Sequence, residues 1–397
     1  MKKNVLFAVR NMNIGGVEKS LLSLLNSMNP SDYDVDVLLL ENNGGFLSEI
    51  PEWVRVIVAD EYQCVRDAVN NPPLEVIRAI LKRGHFCRAF GLLIGYFFYK
   101  IRKDITLYYK YVFKKFKVDG LKSEYDCAVI YTSIITYLSY IVLNFVIAKE
   151  YIGWIHFDFN RMNYEINSTK KLHERMRKIF VVSKSGMNAF CDAFPCLSEK
   201  CFVRYNTINK KDIIEKSKVS IDLSTSEDYL TIVTVLRFSR ENWIDLIVVS
   251  AGELLNNGIK FKWYIVGGGK EYGLVFSRLA EEGLLENVFL LGEIENPLPY
   301  IRCADIYVQP SRTEGYCTTS NEAKVLGKPI VVTDVSGMRE QFIDGETAYI
   351  VPVEDSHAIF VAVKRLCLSE DERKRLADNI IKYGFVEDQY DIDSIFE

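Results

Sequence analysis

Short, charge-free apolar runs recur along this chain at intervals that a helix would fill, and they constrain its fold more than any other feature. In the first half they fall at residues 5–9, 35–40, 54–58, 127–131, 151–155, 179–182 and 201–205. In the second they fall at 230–236, 261–266, 288–291, 306–308 and 330–332. Runs of β-branched and aromatic residues without charged punctuation are the signature of strands covered on both faces. Their alternation with amphipathic stretches predicts α/β architecture, with parallel sheets joined by right-handed crossovers. A chain of 397 residues exceeds the usual size of one such core. Residues 210–228 are polar and carry no strong apolar run, so two doubly wound, Rossmann-like domains are expected, joined near residues 206–228. Ligands of such sheets sit beyond the carboxyl ends of the strands, which makes an interdomain cleft the natural site.

Composition narrows the function. Lys and Arg number 49 against 53 Asp and Glu, a net charge of −4, which excludes a general nucleic-acid binder. Nine cysteines, an odd number with no C-x-x-C pair, read as reduced core thiols of a cytoplasmic protein. Lys2-Lys3 followed by an apolar run and then Asn11, Asn13 and Gly15 reads as a first strand rather than a signal peptide. Residues 127–148 are free of formal charge and long enough to cross a bilayer. Thr132, Ser133, Thr136, Ser139 and Asn144 interrupt them, so they read as strand, turn and helix inside a core.

Charge is concentrated in one place. Residues 72–118 carry eleven Lys and Arg against Glu75 and Asp104, which is 11 − 2 = +9, leaving −13 for the rest. Aromatic residues are interleaved, as in Tyr96-Phe97-Phe98-Tyr99 and Tyr108-Tyr109-Lys110-Tyr111. This pattern suits either helices lying on an anionic membrane surface, on the inner face of the cell membrane, or a solvated helical pair whose aromatics pack on the sheet.

Two segments carry candidate chemistry. Asn13-Ile14-Gly15-Gly16-Val17-Glu18 follows the first strand and opens a helical pattern. There, backbone N–H groups and the helix dipole favour a phosphate. Glu314-Gly315-Tyr316-Cys317-Thr318-Thr319-Ser320-Asn321-Glu322 follows the run at 306–308. Its first carboxylate falls in a loop and its second on the adjoining helix, so two sets of vicinal hydroxyls could be held with oxygens bound between them.

Together with Trp154-Ile155-His156-Phe157-Asp158, Val182-Ser183-Lys184-Ser185, Val235-Leu236-Arg237, Val266-Gly267-Gly268-Gly269 and Gly327-Lys328-Pro329, these segments resemble the retaining glycosyltransferases of GT-B fold, family 4, of the capsular and cell-surface polysaccharide type. The resemblance implies an acceptor-binding domain over 1–207, a nucleotide-sugar domain over 208–380, and residues 381–397 returning toward the first. It implies that Gly15 and Gly16 approach the donor diphosphate and that Arg237 pairs with it as it leaves. Gly267 and Gly268 belong to the same donor site. Glu322 would hold the ribose, while Glu314, Gly315 and the loop of Tyr316, Cys317 and Thr318 hold the transferred sugar. Glu293 and Ile294 would read the base, and His156 would sit beside the sugar, hydrogen-bonding it or helping to handle the acceptor proton; His156, Arg237 and Glu314 are the catalytic residues the resemblance implies.

The expected reaction is hexosyl transfer from a UDP- or GDP-sugar to a saccharide or lipid-linked acceptor, with retention and without a metal or other cofactor. Asp34-Val35-Asp36 has the D-x-D spelling of metal-using transferases but lies in an alternating strand pattern. One departure stands out: five residues after Arg237, where the family commonly has Lys, this chain has Asn242. Arg240 or Lys270 could supply the missing charge. The alternative is a weak or inactive GT-B partner in a polysaccharide assembly complex, and a nucleotide-sugar epimerase is a third reading.

Overall fold

The computed structural model describes residues 2–159, 164–223, 228–238, 244–385 and 391–397, which form two α/β units. The first is built on β1 (Lys3–Val9), β2 (Tyr33–Leu39), β3 (Arg55–Val58), β4 (Tyr125–Ile130), β5 (Ala148–Ile155), β6 (Lys178–Val181) and β7 (Cys201–Val203). All pair in parallel, in the order β3-β2-β1-β4-β5-β6-β7. The second contains β8 (Leu230–Val235), β9 (Phe261–Val266), β10 (Val288–Gly292), β11 (Ile306–Gln309), β12 (Ile330–Thr333) and β13 (Tyr349–Val351). Its strands are also parallel, in the order β10-β9-β8-β11-β12-β13.

In each sheet the winding reverses once, between β1 and β4 and between β8 and β11. The loops leaving those two strands turn to opposite faces, and the crevice between them is where an open α/β sheet binds ligands.

Each apolar run read as a strand is one, because both faces of each sheet are covered. In the second unit Ile232, Ile306, Trp263 and Val331 pack with the helices Ile244–Asn256 and Ser356–Leu368 on one face. Their neighbours Val233, Tyr307, Tyr264 and Val332 pack on the other face against Ile301, Ala323 and Met338. A half-polar sheet would have shown alternation instead. The uncharged stretch 127–148 resolves into β4, the helix Thr136–Phe145 and the start of β5. Among the described residues no helix is long and apolar enough to cross a membrane.

The D-x-D spelling serves the first unit's architecture. Asp36 is fully buried on β2, where it accepts from Arg55 Nε at 2.9 Å and from the Tyr125 hydroxyl at 2.5 Å. Asp34 pairs with Lys122 at 2.7 Å. The thiols are less uniformly internal than expected: Cys127, Cys201 and Cys317 are buried, but Cys64, Cys87, Cys196 and Cys303 are exposed.

Residues 391–397 pack on the first unit. Ile395 and Phe396 are buried, Lys3 Nζ donates to the Phe396 carbonyl at 2.9 Å, and Arg204 donates to Ser394 Oγ at 2.8 Å and to the Asp391 carbonyl at 2.9 Å. Tyr33 donates to the Asp393 carboxylate.

Candidate functional site

In the first unit the loop leaving β1 leads directly into the helix Gly16–Ser27, whose N-cap, Gly15, is extended and offers no side-chain cap. Gly16 is exposed and Gly15 half-buried at the sheet's switch point. The same helix is pinned to β4 by a hydrogen bond between Ser20 Oγ and the Tyr131 hydroxyl, 2.9 Å apart. Tyr131 meets His156 with centroids 4.4 Å apart and rings tilted by 42°, and Trp154 lies nearly parallel to the imidazole at 5.7 Å. His156 follows β5 immediately and is 6% exposed, more enclosed than a strand-end position suggests. The amides of Gly15 and Gly16, Tyr131 and His156 thus gather at the carboxyl ends of β1, β4 and β5.

In the second unit the corresponding place lies beyond β8 and β11. Two residues after β8 comes Arg237, exposed between the buried Leu236 and Phe238. The backbone on either side of it is bonded to the loop after β9: Leu236 N donates to the Val266 carbonyl at 3.0 Å and Phe238 N to that of Gly268 at 2.8 Å. The glycines make this approach possible. Gly267 has φ +147°, and a Cβ there would lie 1.7 Å from the Leu236 carbonyl oxygen; at Gly269, φ +152°, it would lie 2.2 Å from that of Phe238. Side chains cannot be accommodated at such positions. At Gly268 a Cβ would meet that of Glu293 at 3.1 Å, which sets the exposed Glu293 and half-buried Ile294 beside the same loop. Arg240 and Asn242 lie outside the described residues.

Across the switch point, β11 runs into the loop that carries Glu314, and the helix Thr318–Val325 follows. Its N-cap, Cys317, makes no side-chain cap, so the first-turn amides are not satisfied from that side chain. Gly315, Tyr316 and Cys317 are buried, and Thr318 is half-buried. Glu322 lies on this helix and is 1% exposed. Burial drives the Tyr307 hydroxyl pKa well up, and the neighbouring Cys317, Glu322 and Glu314 add to it against a hydrogen bond with Thr319. Burial also raises the Glu314 carboxyl above the ordinary carboxylate range, against opposing hydrogen bonds from Ser311 and Cys317.

A directed hydrogen-bond chain fixes Glu314, and the sequence reading had missed it. The Tyr307 hydroxyl donates to Gln309 Oε1 at 2.6 Å, and Thr319 Oγ1 donates to the same oxygen at 3.2 Å. That orientation aims the Gln309 amide nitrogen at Ser311 Oγ, 3.0 Å away. Ser311, accepting there, donates its own proton to Glu314 Oε1 at 2.7 Å. Every donor in the series points toward the carboxylate. Only the alternation of hydroxyl, amide and hydroxyl at 307, 309 and 311 could have signalled it.

Solved structures share the fold of the two units. The Anabaena protein HepE, solved with UDP and glucose, matches with a TM-score of 0.67 over 99% of this chain and 96% of its own, at 14% identity. The fold is GT-B. Residues 216–383, which include every second-unit strand and helix described above, match the family model described as "Glycosyl transferases group 1". Within curated proteins, the Staphylococcus aureus capsular polysaccharide biosynthesis glycosyltransferase CapM is 30% identical over 93 residues, 23% of this chain and 24% of its own. The Campylobacter jejuni N-acetylgalactosamine-N,N'-diacetylbacillosaminyl-diphospho-undecaprenol 4-alpha-N-acetylgalactosaminyltransferase is 27% identical over 207 residues, 52% of this chain and 54% of its own. The GT-B chain thus spans between a quarter and about half of the length of these curated relatives.

Among the described residues no group of three or more His, Cys, Asp and Glu side chains is placed to hold a metal ion. Among the described residues, the groups at the carboxyl ends of β8 and β11 include Arg237, Glu314, Glu322 and the amides at the start of the helix Thr318–Val325.

Proposed function

We propose that the chain is a retaining, family 4-type glycosyltransferase that moves a hexosyl unit from a UDP- or GDP-sugar to a saccharide acceptor carried on a lipid, in cell-surface polysaccharide synthesis. The observation that carries this is the second unit's switch point. There Arg237 leaves β8 while Glu314 and Glu322 leave β11, so a cation and two hydroxyl acceptors share one crevice. Arg237 and the helix amides would hold the diphosphate, Glu322 the ribose, and Glu314 the transferred sugar. The kinship with CapM and with the diphospho-undecaprenol-dependent Campylobacter enzyme supports the polysaccharide and lipid-linked parts.

In this reaction the bond from the anomeric carbon to the phosphate oxygen breaks as the acceptor oxygen attacks from the same face. The acceptor's proton passes to the departing phosphate oxygen, so no protein base is consumed and the configuration is kept. Arg237 lowers the barrier by meeting charge that develops on the diphosphate in a water-poor crevice. No divalent ion is required for any of these steps.

The test is product formation. Purified protein is incubated with labelled UDP- and GDP-sugars and undecaprenyl-diphosphate saccharides, with a chelator present, and the new linkage is read by NMR. An α-product from an α-linked donor is expected. A β-product would refute retention, dependence on added metal would refute the metal-free chemistry, and release of free epimer without acceptor would make the chain an epimerase.

A further inference from the structure

The basic, aromatic segment of the first unit folds as three helices: Pro73–Lys82, Phe86–Arg102 and Thr106–Val112. The middle one is docked by its small face. Ala89, Leu92 and Gly95 are buried, and a Cβ at Gly95 would lie 2.7 Å from the Tyr111 ring and 3.1 Å from Tyr108 Cα. The opposite face is bare. Phe86, Phe90, Leu93, Phe97 and Ile101, spaced by four, three, four and four residues, are 68%, 65%, 45%, 60% and 63% exposed. That spacing places all five on one stripe of the helix, about 22 Å long at ~1.5 Å per residue.

Such a stripe on a docked helix needs a cover, since contiguous exposed apolar patches mark contact sites. Its charged frame identifies which. Lys82 and Arg83 stand exposed before the helix, and Lys100, Arg102 and Lys103 stand exposed at its end. Lys100 Nζ sits 5.5 Å from the ring centres of both Tyr96 and Tyr99, which holds it along the aromatic face. Of the two acids in the segment, Asp104 is already engaged by Lys171 at 2.9 Å.

A second copy of the chain would bring a like-charged patch, +9 by the same count over residues 72–118, against this one. An anionic lipid surface offers both the apolar layer and the opposite charge, and the helix is too short to do more than lie in it. We infer that the helix Phe86–Arg102 is an in-plane membrane anchor: Phe86, Phe90, Leu93, Phe97 and Ile101 enter the acyl boundary of an anionic bilayer while the bases at its two ends meet lipid phosphates. This docking stands whether or not the crevice of the second unit transfers sugar.

The test uses the full chain and vesicles of three parts phosphatidylcholine to one of phosphatidylglycerol, with phosphatidylcholine vesicles as control. The chain floats with the anionic vesicles, and hydrogen exchange slows in peptides covering 86–101. Phe90→Asp with Phe97→Asp lowers the partition coefficient by roughly a hundredfold, each buried phenylalanine being worth about tenfold or more. Lys82→Glu with Arg83→Glu weakens binding at low salt. In about 0.5 M salt, where screening acts over roughly 4 Å, that difference vanishes. The hydrogen-exchange arm needs no variant, so a misfolded double aspartate leaves the question decidable. The inference is overturned by absence of flotation, by protection confined elsewhere in the chain, or by equal binding of the double aspartate. A wild-type dimer that the double aspartate dissociates without change in lipid binding would make a second copy the occupant and overturn it as well.

Discussion

Substituting Gly267 tests how the fold aims Arg237. A methyl group at 267 would sit 1.7 Å from the Leu236 carbonyl oxygen, at a φ of +147°. Restoring ordinary contact means moving that carbonyl by about 1.5 Å, in a backbone region essentially reserved for glycine, at ~1–3 kcal/mol of strain. The move also endangers the bonds from Leu236 N to Val266 and from Phe238 N to Gly268, at 3.0 and 2.8 Å. Each such bond contributes about 1 kcal/mol, so Gly267→Ala should cost roughly 3–5 kcal/mol in all.

Arg237 lies between those two anchored residues. A displacement of the order of 1 Å is enough to lose about a hundredfold in a positioned electrostatic contact. Gly258→Ala is the matched control: its φ is +71° with nothing within 4 Å, so it carries only the left-handed backbone penalty of about 1–2 kcal/mol. Urea unfolding and calorimetric titration with UDP-sugars, run on both variants, read the two effects separately. A Gly267→Ala protein no less stable than Gly258→Ala would refute the steric reasoning. One that is destabilised yet binds donor normally would refute the link from this loop to the diphosphate.

Other expectations follow from the site and its supports. Ser311→Ala deletes the last donor of the chain that ends on Glu314, 2.7 Å away. Donor affinity should fall about tenfold and its acidic limb should move to higher pH, since Glu314 loses a bond that favours its ionised form; an unmoved pH profile makes Ser311 merely structural. His173 is 1% exposed, its Nδ1 2.8 Å from the Thr169 carbonyl, and burial lowers its pKa from 6.5 to about 4. The unfolded chain then binds the extra proton first. Stability is therefore complete above pH 6.5 and falls by about 3 kcal/mol as pH drops to about 4. His173→Gln should flatten that slope in urea titrations at several pH values, and an equally steep slope would rule His173 out as its source. Asn242→Lys adds a cation five residues after Arg237; transfer that rises by ten- to a thousandfold marks a charge-depleted site, and unchanged transfer means another base already serves.

The strands were legible because a parallel sheet buried on both faces writes itself as charge-free runs. β13, Tyr349–Val351, escaped because three residues after a turn make no run; its identity comes from pairing Val331 with Tyr349 and Thr333 with Val351. Glu314 and Glu322 could be read because their value depends on residue type at a strand end. Gly267 could be read only in part. The resemblance places it in the donor site, whereas its positive φ and its close approach to Leu236 show that it holds two protein loops together. Gln309 was invisible because its part depends on which way an amide faces, and Tyr307 and Thr319 decide that. The stripe on Phe86–Arg102 was hidden by abundance: with Tyr96, Phe98 and Tyr99 interspersed, the letters alone do not say which aromatics face the core.

In the proposed reaction the crevice beyond β8 and β11 grips a nucleoside diphosphate through Arg237 and Glu322. Titration calorimetry of UDP and GDP into the wild-type chain, Arg237→Ala and Glu322→Gln in metal-free buffer tests it most directly. Saturable binding by the wild type, weakened about a hundredfold by Arg237→Ala and about tenfold by Glu322→Gln, is the predicted result. Undiminished binding in both variants, or none by the wild type with either nucleotide, would contradict it.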